Sequence, residues 1–491
     1  MGNDPNRFWW RLKERIPVAR IRGSLIALCI YTLAAIVVFY PVPFRLNAVL
    51  AGFSFRDGWE HAWWPWFSRR LLLEGRGLDD LYLLNHPAGL THPYQWSLIG
   101  FTLICFPVAS LFPPAATFNL LVLSSFVLSG LAAYHLCREL TRSHWAAVVG
   151  GGVFSFCSNR FGHALAGWLP QMMTYVYPWY ALLLIRTLRR PTLQRSVGLG
   201  LLAALGATMW PIHIVYLLLP LTIVIVGAEI LQRGRSFFQS SSIHHLSLAL
   251  LITLAVALPF LLPVIVRRVS GGLDYLSASG VVGHSTDLLA YLTPSPYHPI
   301  FARLGIVPSF AHRVFRDRET LRAALAYPGL LAVLLAIWGT LKTKPRPWRW
   351  VALALGTAIL SLGPILVWGG RPLEYTVDGY QAHVLLPYQL VQALPFLDWV
   401  RTPGRINTTA MLAIGVLVAY GTADLQERFD GRWLGGALLP VCLFGFAVFE
   451  CLPMWPFPAG DATIPPVIQR IADQPSKGAV LHVPMERRRV N

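Results

Sequence analysis

The chain has 491 residues, of which 55% are hydrophobic and only 13% charged, with a mean hydropathy of +0.52. Soluble chains carry about 25% charged residues, so half that fraction at this hydropathy excludes an ordinary soluble domain and defines an all-α polytopic membrane protein. The net charge of +18 does not point to nucleic acid: the Lys and Arg residues sit in short clusters between apolar runs, the distribution that the positive-inside rule produces.

Residues 1–22 form a basic arm (Arg7, Arg11, Lys13, Arg15, Arg20 and Arg22) that is expected to stay cytoplasmic. The first apolar run, about 24–44, is too long for the core of a cleavable signal peptide and lacks a small-residue cleavage site, so it reads as a span. Further spans are expected at about 116–137, 145–158, 171–186, 196–210, 211–231, 245–266, 326–341, 350–368, 407–423 and 433–452. That makes about eleven transmembrane helices within 23–452, with the N-terminus cytoplasmic and the C-terminus outside. The stretch 98–112 is apolar but short and broken by Pro107, and reads as a re-entrant or surface helix. Counting it as a span would turn the basic clusters at 186–195, 233–235 and 342–349 outward, against the charge rule. Long outward loops then cover 45–115, 267–325 and 369–406. The tail, 453–491, reads as a short helix, a turn and a strand, the opening of a soluble domain that is cut short.

The six cysteines (Cys29, Cys105, Cys137, Cys157, Cys442, Cys451) lie in or beside apolar runs without C-x-x-C or Cys/His spacing. Neither a disulfide framework nor a zinc site is expected, and the sequence implies no cofactor; the spacing of Asp57, Glu60 and His61 could offer a divalent cation site, but two carboxylates and one histidine are too few ligands to support it. His284, Asp287 and His298 match no strong metal-ligand spacing. Trp168, Trp348, Trp350 and Trp455 read as members of an interfacial aromatic belt, and Asn407-Thr-Thr409 as a chance glycosylation match at a span's edge.

Charge is scarce here, so the stretch from Phe53 to Phe67 stands out. If helical, it places Asp57, Glu60 and His61 on one face and Trp59, Trp63, Trp66 and Phe67 on the next. Such a helix suits the boundary between headgroups and water. A carboxylate there can act as a general base, with Glu60 and His61 as a second acid or relay, or simply as the wet side of the helix. The competing reading of Asp57 is structural, since Ser54-Phe-Arg-Asp57 has the form of a helix capping box. Arg160, Arg401 and Arg405 fall at outward span ends against the positive-inside bias. A guanidinium fork suits phosphate there, with His163 as a possible helper; snorkelling to ordinary headgroups is the bland alternative. Arg69, Arg70, Arg267 and Arg268 read as interface anchors.

One span, a long outer loop with an early acid, and then a many-helix bundle resembles the GT-C membrane glycosyltransferases. The resemblance is closer to a bacterial, uncharacterised GT-C-like branch. It rests on Asp57 with Trp59, Trp63 and Trp66, then Pro87-Ala-Gly89, Asn119, and Arg401-Thr-Pro-Gly-Arg405, and covers most of residues 20–430. It implies sugar transfer from a polyprenyl-phosphate donor to an envelope acceptor at the outer face of the cytoplasmic membrane. Asp57 would be the base, and the outward arginines would hold the donor phosphate. Many relatives carry adjacent Asp-Glu, whereas here Asp57 is followed by Gly58. The rivals are a transporter or flippase of lipid-linked saccharides, and a non-catalytic scaffold of the same fold. Spans nearly free of charge, with ionisable residues outside, favour surface chemistry over transport.

Overall fold

The computed structural model describes residues 18–53, 56–270, 280–315, 325–394, 397, 400–429, 436–474 and 478. The basic arm before residue 18, Ser54 of the expected capping box, and the expected strand near 479–484 lie outside the described residues. Among the described residues the chain is overwhelmingly helical, and its sheet consists of three two-stranded antiparallel ribbons.

The principal helices are α1 (Val18–Val38), α2 (Arg56–Leu73), α3 (Ile99–Leu111), α4 (Pro114–Thr141), α5 (His144–Ser155), α6 (Ser158–Ala166) and α7 (Val176–Arg189). They continue with α8 (Leu193–Met209), α9 (Leu219–Arg233), α10 (Ser241–Val269), α11 (Leu330–Lys342), α12 (Trp348–Ser361), α13 (Asn407–Arg428) and α14 (Leu438–Cys451). A helix stands at each of the eleven segments expected to span. Several of those segments are trimmed at an end, the first stopping at Val38. The expected 171–186 span begins only at Val176, and α12 stops at Ser361 because Gly363, at φ +80°, and Pro364 cannot continue it. Six segments among the described residues are long and apolar enough to cross a membrane: Ile21–Val38, Pro93–Leu111, Pro114–Thr141, Ile214–Arg233, Ser241–Val269 and Pro403–Arg428. The helices α11, α12 and α14 are apolar but shorter.

Helix α13 forms the centre, with 83% of its apolar window buried, whereas α10 is peripheral at 11% and turns Leu250, Leu251 and Leu254 outward. Lipid tails are as apolar as leucine, so helix association here depends on close packing. A Cβ built on Gly150 of α5 would lie 2.5 Å from the Gly415 carbonyl oxygen of α13, and the reverse approach is 2.6 Å.

The bundle has two unlike faces. The C-terminal ends of α4, α7, α9, α11 and α13 carry Arg138, Arg186, Arg189, Arg233, Lys342 and Arg428. Ion pairs lie there, with Arg186–Glu139 and Arg428–Asp424 each at 2.6 Å and Arg233–Glu229 at 2.9 Å. The N-terminal ends of these helices form the second face, where the start of α4 is bonded to the loop that leads into α2. Segment Pro93–Leu111 passes a length-and-hydropathy test for a span, but its packing keeps both its ends on that second face. Gly100 sits against Leu205 and Thr208 at the end of α8, and Leu111 lies just before Pro114, where α4 begins. It runs along the face, although α3 continues through Pro107 and the expected break there is not seen.

Candidate active site

The backbone leading to α2 is tied down residue by residue. Strand Val49–Ala51 pairs antiparallel with Ala459–Asp461, so the tail returns to the first loop. Asn119, fully buried in the first turns of α4, donates to the carbonyls of Leu46 (2.8 Å) and Val49 (2.6 Å) and accepts from the Ala51 amide (2.9 Å). One amide thus satisfies three backbone groups, those of Val49 and Ala51 on the edge of this short strand that faces away from Ala459–Asp461. Phe53 then donates to the carbonyl of Leu165 at the end of α6, at 2.8 Å. Helix α2 follows, with Asp57 in its first turn, where a negative charge favours the helix dipole.

Asp57 is aimed at α6 and the turn after it. Its Oδ2 accepts from Trp168 Nε1 at 2.7 Å. Gly167, in the left-handed region at φ +72°, ends α6, and a Cβ placed on it would lie 2.5 Å from the Cα of Gly58. Two backbones therefore touch at the residues next to Asp57 and Trp168. On the other side of the indole, the Arg405 guanidinium lies 4.5 Å from the ring centroid. One tryptophan thereby holds the carboxylate through its N–H and the cation through its face. Gln171, with its amide oxygen turned inward, accepts from Arg405 Nη1 and from Trp210 Nε1, each at 3.1 Å. The Trp210 ring in turn lies 6.1 Å from His61 and 6.0 Å from Tyr94.

The turn Arg401-Thr-Pro-Gly-Arg405 is built to present Arg405. The Tyr216 hydroxyl accepts from the Thr402 amide at 3.1 Å and pairs with its Oγ1 at 3.0 Å, while the Tyr388 hydroxyl donates to the Val400 carbonyl at 2.6 Å. Pro403 then opens a short 3₁₀ turn that runs into α13. Asn407 is buried and bonded to Thr286 Oγ1 (2.8 Å) and the Tyr291 hydroxyl, so the Asn-Thr-Thr run is part of the packing.

The residues singled out above fall into different settings. Asp57 and Arg405 share Trp168. Arg401 is exposed at the mouth of the same turn, and Glu60 is exposed on α2. His163 is buried beside Trp168, ring centroids 5.8 Å apart, and its Nδ1 has no hydrogen-bond partner among the described residues; the same is true of Arg405 Nε and His61 Nδ1. Arg160 is different. It is wholly buried, and its guanidinium donates to the Ser155 carbonyl (2.9 Å), the Ser125 carbonyl (3.1 Å), Ser129 Oγ (3.0 Å) and Thr174 Oγ1. It lies over the rings of Phe126 (4.6 Å) and Phe154 (5.5 Å). Ser155 is the last residue of α5, so Arg160 caps a carbonyl end of that helix and its donors are largely committed. Arg69 and Arg70 sit at the far end of α2, bonded to Ser110 Oγ (3.1 Å) and Glu74 (2.7 Å). Asp287 accepts from the amides of Leu289, Gly369 and Gly370, and His298 bonds the Phe449 carbonyl, so both serve the backbone. Among the described residues no group of His, Cys, Asp and Glu is arranged to hold a metal.

Burial away from water lowers the His61 pKa to about 4, against the opposing pull of Asp57, whose charge favours the imidazolium. The ring edge is partly accessible, but the buried Nδ1 governs the direction. His61 is therefore neutral at neutral pH and carries no charge in a relay there. Between the ordinary histidine value of about 6.5 and 4, the unfolded chain binds the extra proton, so stability falls as the pH drops through this window. In melting experiments, His61→Gln is expected to lose less thermal stability than the natural chain between pH 6.5 and 4.5. Parallel curves would contradict this environment.

Trp168 is not the belt residue its sequence position suggested; its indole is only 8% exposed and holds the site together. Gln171, Trp210 and Gly167 were also missed. The only sequence signal was Gly167-Trp168 close behind His163, and it does not reveal that Asp57 lies opposite.

These features define a polytopic all-α membrane protein with a carboxylate–indole–guanidinium site at one face of the bundle. No family model and no curated protein matches the chain. Among solved structures it is similar to ArnT from Cupriavidus metallidurans bound to undecaprenyl phosphate, with 11% sequence identity and a TM-score of 0.43, over 88% of this chain and 75% of that one.

Proposed function

We propose that the protein is a membrane glycosyltransferase that moves a sugar from a polyprenyl-phosphate donor to a hydroxyl of an envelope acceptor at the outer face of the cytoplasmic membrane. Asp57 accepts the hydroxyl proton as the acceptor oxygen attacks the anomeric carbon. The bond from that carbon to the phosphate oxygen breaks, and the polyprenyl phosphate leaves with its negative charge. Arg405 meets that charge, with Arg401 beside it at the mouth. Arg160 has no part in this step, because its donors are committed elsewhere.

The observation that carries the reading is the Arg405 guanidinium, held over the Trp168 ring with its buried Nε unpartnered among the described residues, while the same indole's N–H meets the Asp57 carboxylate. Buried polar groups are nearly always satisfied, so a cation and a carboxylate placed this way suit a ligand with acceptor oxygens. A phosphate and a sugar supply them.

The test is release of polyprenyl phosphate from a labelled polyprenyl-phosphate sugar by the full chain in liposomes, with a crude envelope acceptor fraction. Arg405→Gln is expected to raise the donor concentration needed for half-maximal release by about tenfold to a hundredfold, the worth of one charge-assisted hydrogen bond. Flipping of the lipid-linked sugar without release would sink the reading in favour of a transporter. A chain that neither releases nor flips would favour the scaffold.

A further inference from the structure

Some 30 Å from Asp57, by the length of the 22-residue α13, the basic face holds a cavity of about 1440 Å³. The ends of α7, α9 and α13 and the turn between α11 and α12 enclose it. Six cations line it: Arg189, Arg233, Lys342, Lys344, Arg346 and Arg349. Three carboxylates line it too, and two of these are already engaged. Glu229 pairs with Arg233 at 2.9 Å, and Asp424 takes Arg428 at 2.6 Å and Trp338 Nε1 at 2.8 Å. Among the described residues, Arg189, Lys344, Arg346 and Arg349 form no ion pair. Arg349 is half-buried beside Tyr420 and close enough to Arg189 for the two like charges to repel.

The positive-inside rule explains why basic residues lie on this face, but not why they converge from three elements on one hollow. Six cations against three carboxylates, two of which are already engaged, leave an excess of guanidinium and ammonium groups that suits a phosphate. The cavity wall also includes Ile223 and Leu231, which are 65% and 88% exposed on α9 and present apolar surface beside the cations. A free phosphate has no use for such a wall; an acyl chain does.

We propose that this cavity binds the phosphate headgroup of an anionic lipid, with the acyl chains lying along Ile223 and Leu231. The site is independent of the Asp57 reading, and it assigns the basic face a specific ligand.

The experiment measures binding of phosphatidylglycerol to the detergent-solubilised full chain by native mass spectrometry, with phosphatidylcholine as reference. Lys344→Gln combined with Arg346→Gln removes two exposed charges that form no ion pair among the described residues, Arg346 lying over the Trp348 ring at 5.9 Å. It is expected to weaken phosphatidylglycerol binding about thirtyfold, the effect of two basic side chains near an anionic lipid, and to leave phosphatidylcholine unchanged. Arg142→Gln combined with Arg235→Gln removes two exposed charges of the same face outside the cavity and is expected to change little. Equal losses in the two double variants would assign the binding to the whole face and overturn the site. Unchanged binding in the cavity variant would overturn it too. Complete displacement by millimolar inorganic phosphate would show a soluble phosphate site and reject the lipid.

Discussion

Asp57→Asn is expected to lower the proposed sugar transfer by about 10²–10⁴-fold, the usual contribution of a positioned general base. The substitution is nearly isosteric. The amide oxygen still accepts from Trp168 Nε1, which approaches Asp57 at 2.7 Å in the natural chain, so the indole keeps its place over Arg405. What is lost is the ability to take a proton. The loss is therefore expected in the rate at saturating donor and not in the donor concentration needed. Helix α2 loses a favourable charge in its first turn, worth a few tenths to about 1 kcal/mol, so the melting temperature should shift little. A large fall in stability with a proportionate loss of transfer would return Asp57 to a capping role.

Gly167→Ala is expected to cost about 10²-fold in transfer, while Gly58→Ala keeps most of it. The two glycines touch, yet their surroundings are unequal. A Cβ on Gly167 would meet the Gly58 Cα at 2.5 Å and its amide nitrogen at 3.1 Å, backbone atoms that cannot rotate away. Gly167 also sits at φ +72°, which costs an L-residue about 1–2 kcal/mol. Helix α2 must then move off α6 and carry Asp57 from Trp168, and a displacement of about 1 Å can remove two orders of magnitude. A Cβ on Gly58 meets only the Gly167 Cα, at 3.8 Å, an ordinary contact. Alanine there also favours the helix by about 1 kcal/mol. Transfer assays on the two variants, with melting curves as controls, check the contrast; equal losses would mean that this contact does not set the site.

Much of the architecture was legible in the chain because hydropathy and basic clusters act locally. The apolar runs became helices, and the arginines and lysines following them gathered on one face. Asp57 was legible because carboxylates are rare here, and Arg405 because it closes an Arg-Thr-Pro-Gly-Arg turn at the start of an apolar run. Arg160 misled for a physical reason. At a span end it looks like a phosphate ligand, but its partners Ser125, Ser129 and Thr174 lie 14 to 35 residues away in sequence. Only packing brings them together. Trp168 was obscured likewise: tryptophans abound at membrane boundaries, and nothing local separates one that holds a carboxylate from one that faces headgroups. The pairing of Val49–Ala51 with Ala459–Asp461 joins segments some four hundred residues apart and left no periodic trace.

In the proposed reaction labour divides at Trp168: Asp57 takes the proton and Arg405 holds the phosphate. Direct binding of a polyprenyl-phosphate sugar, measured alongside single-turnover transfer, tests that division most directly. Asp57→Asn should bind the donor like the natural chain and scarcely turn it over, whereas Arg405→Gln should bind it about tenfold to a hundredfold more weakly. Undiminished single-turnover transfer by Asp57→Asn, or undiminished donor binding by Arg405→Gln, would contradict it.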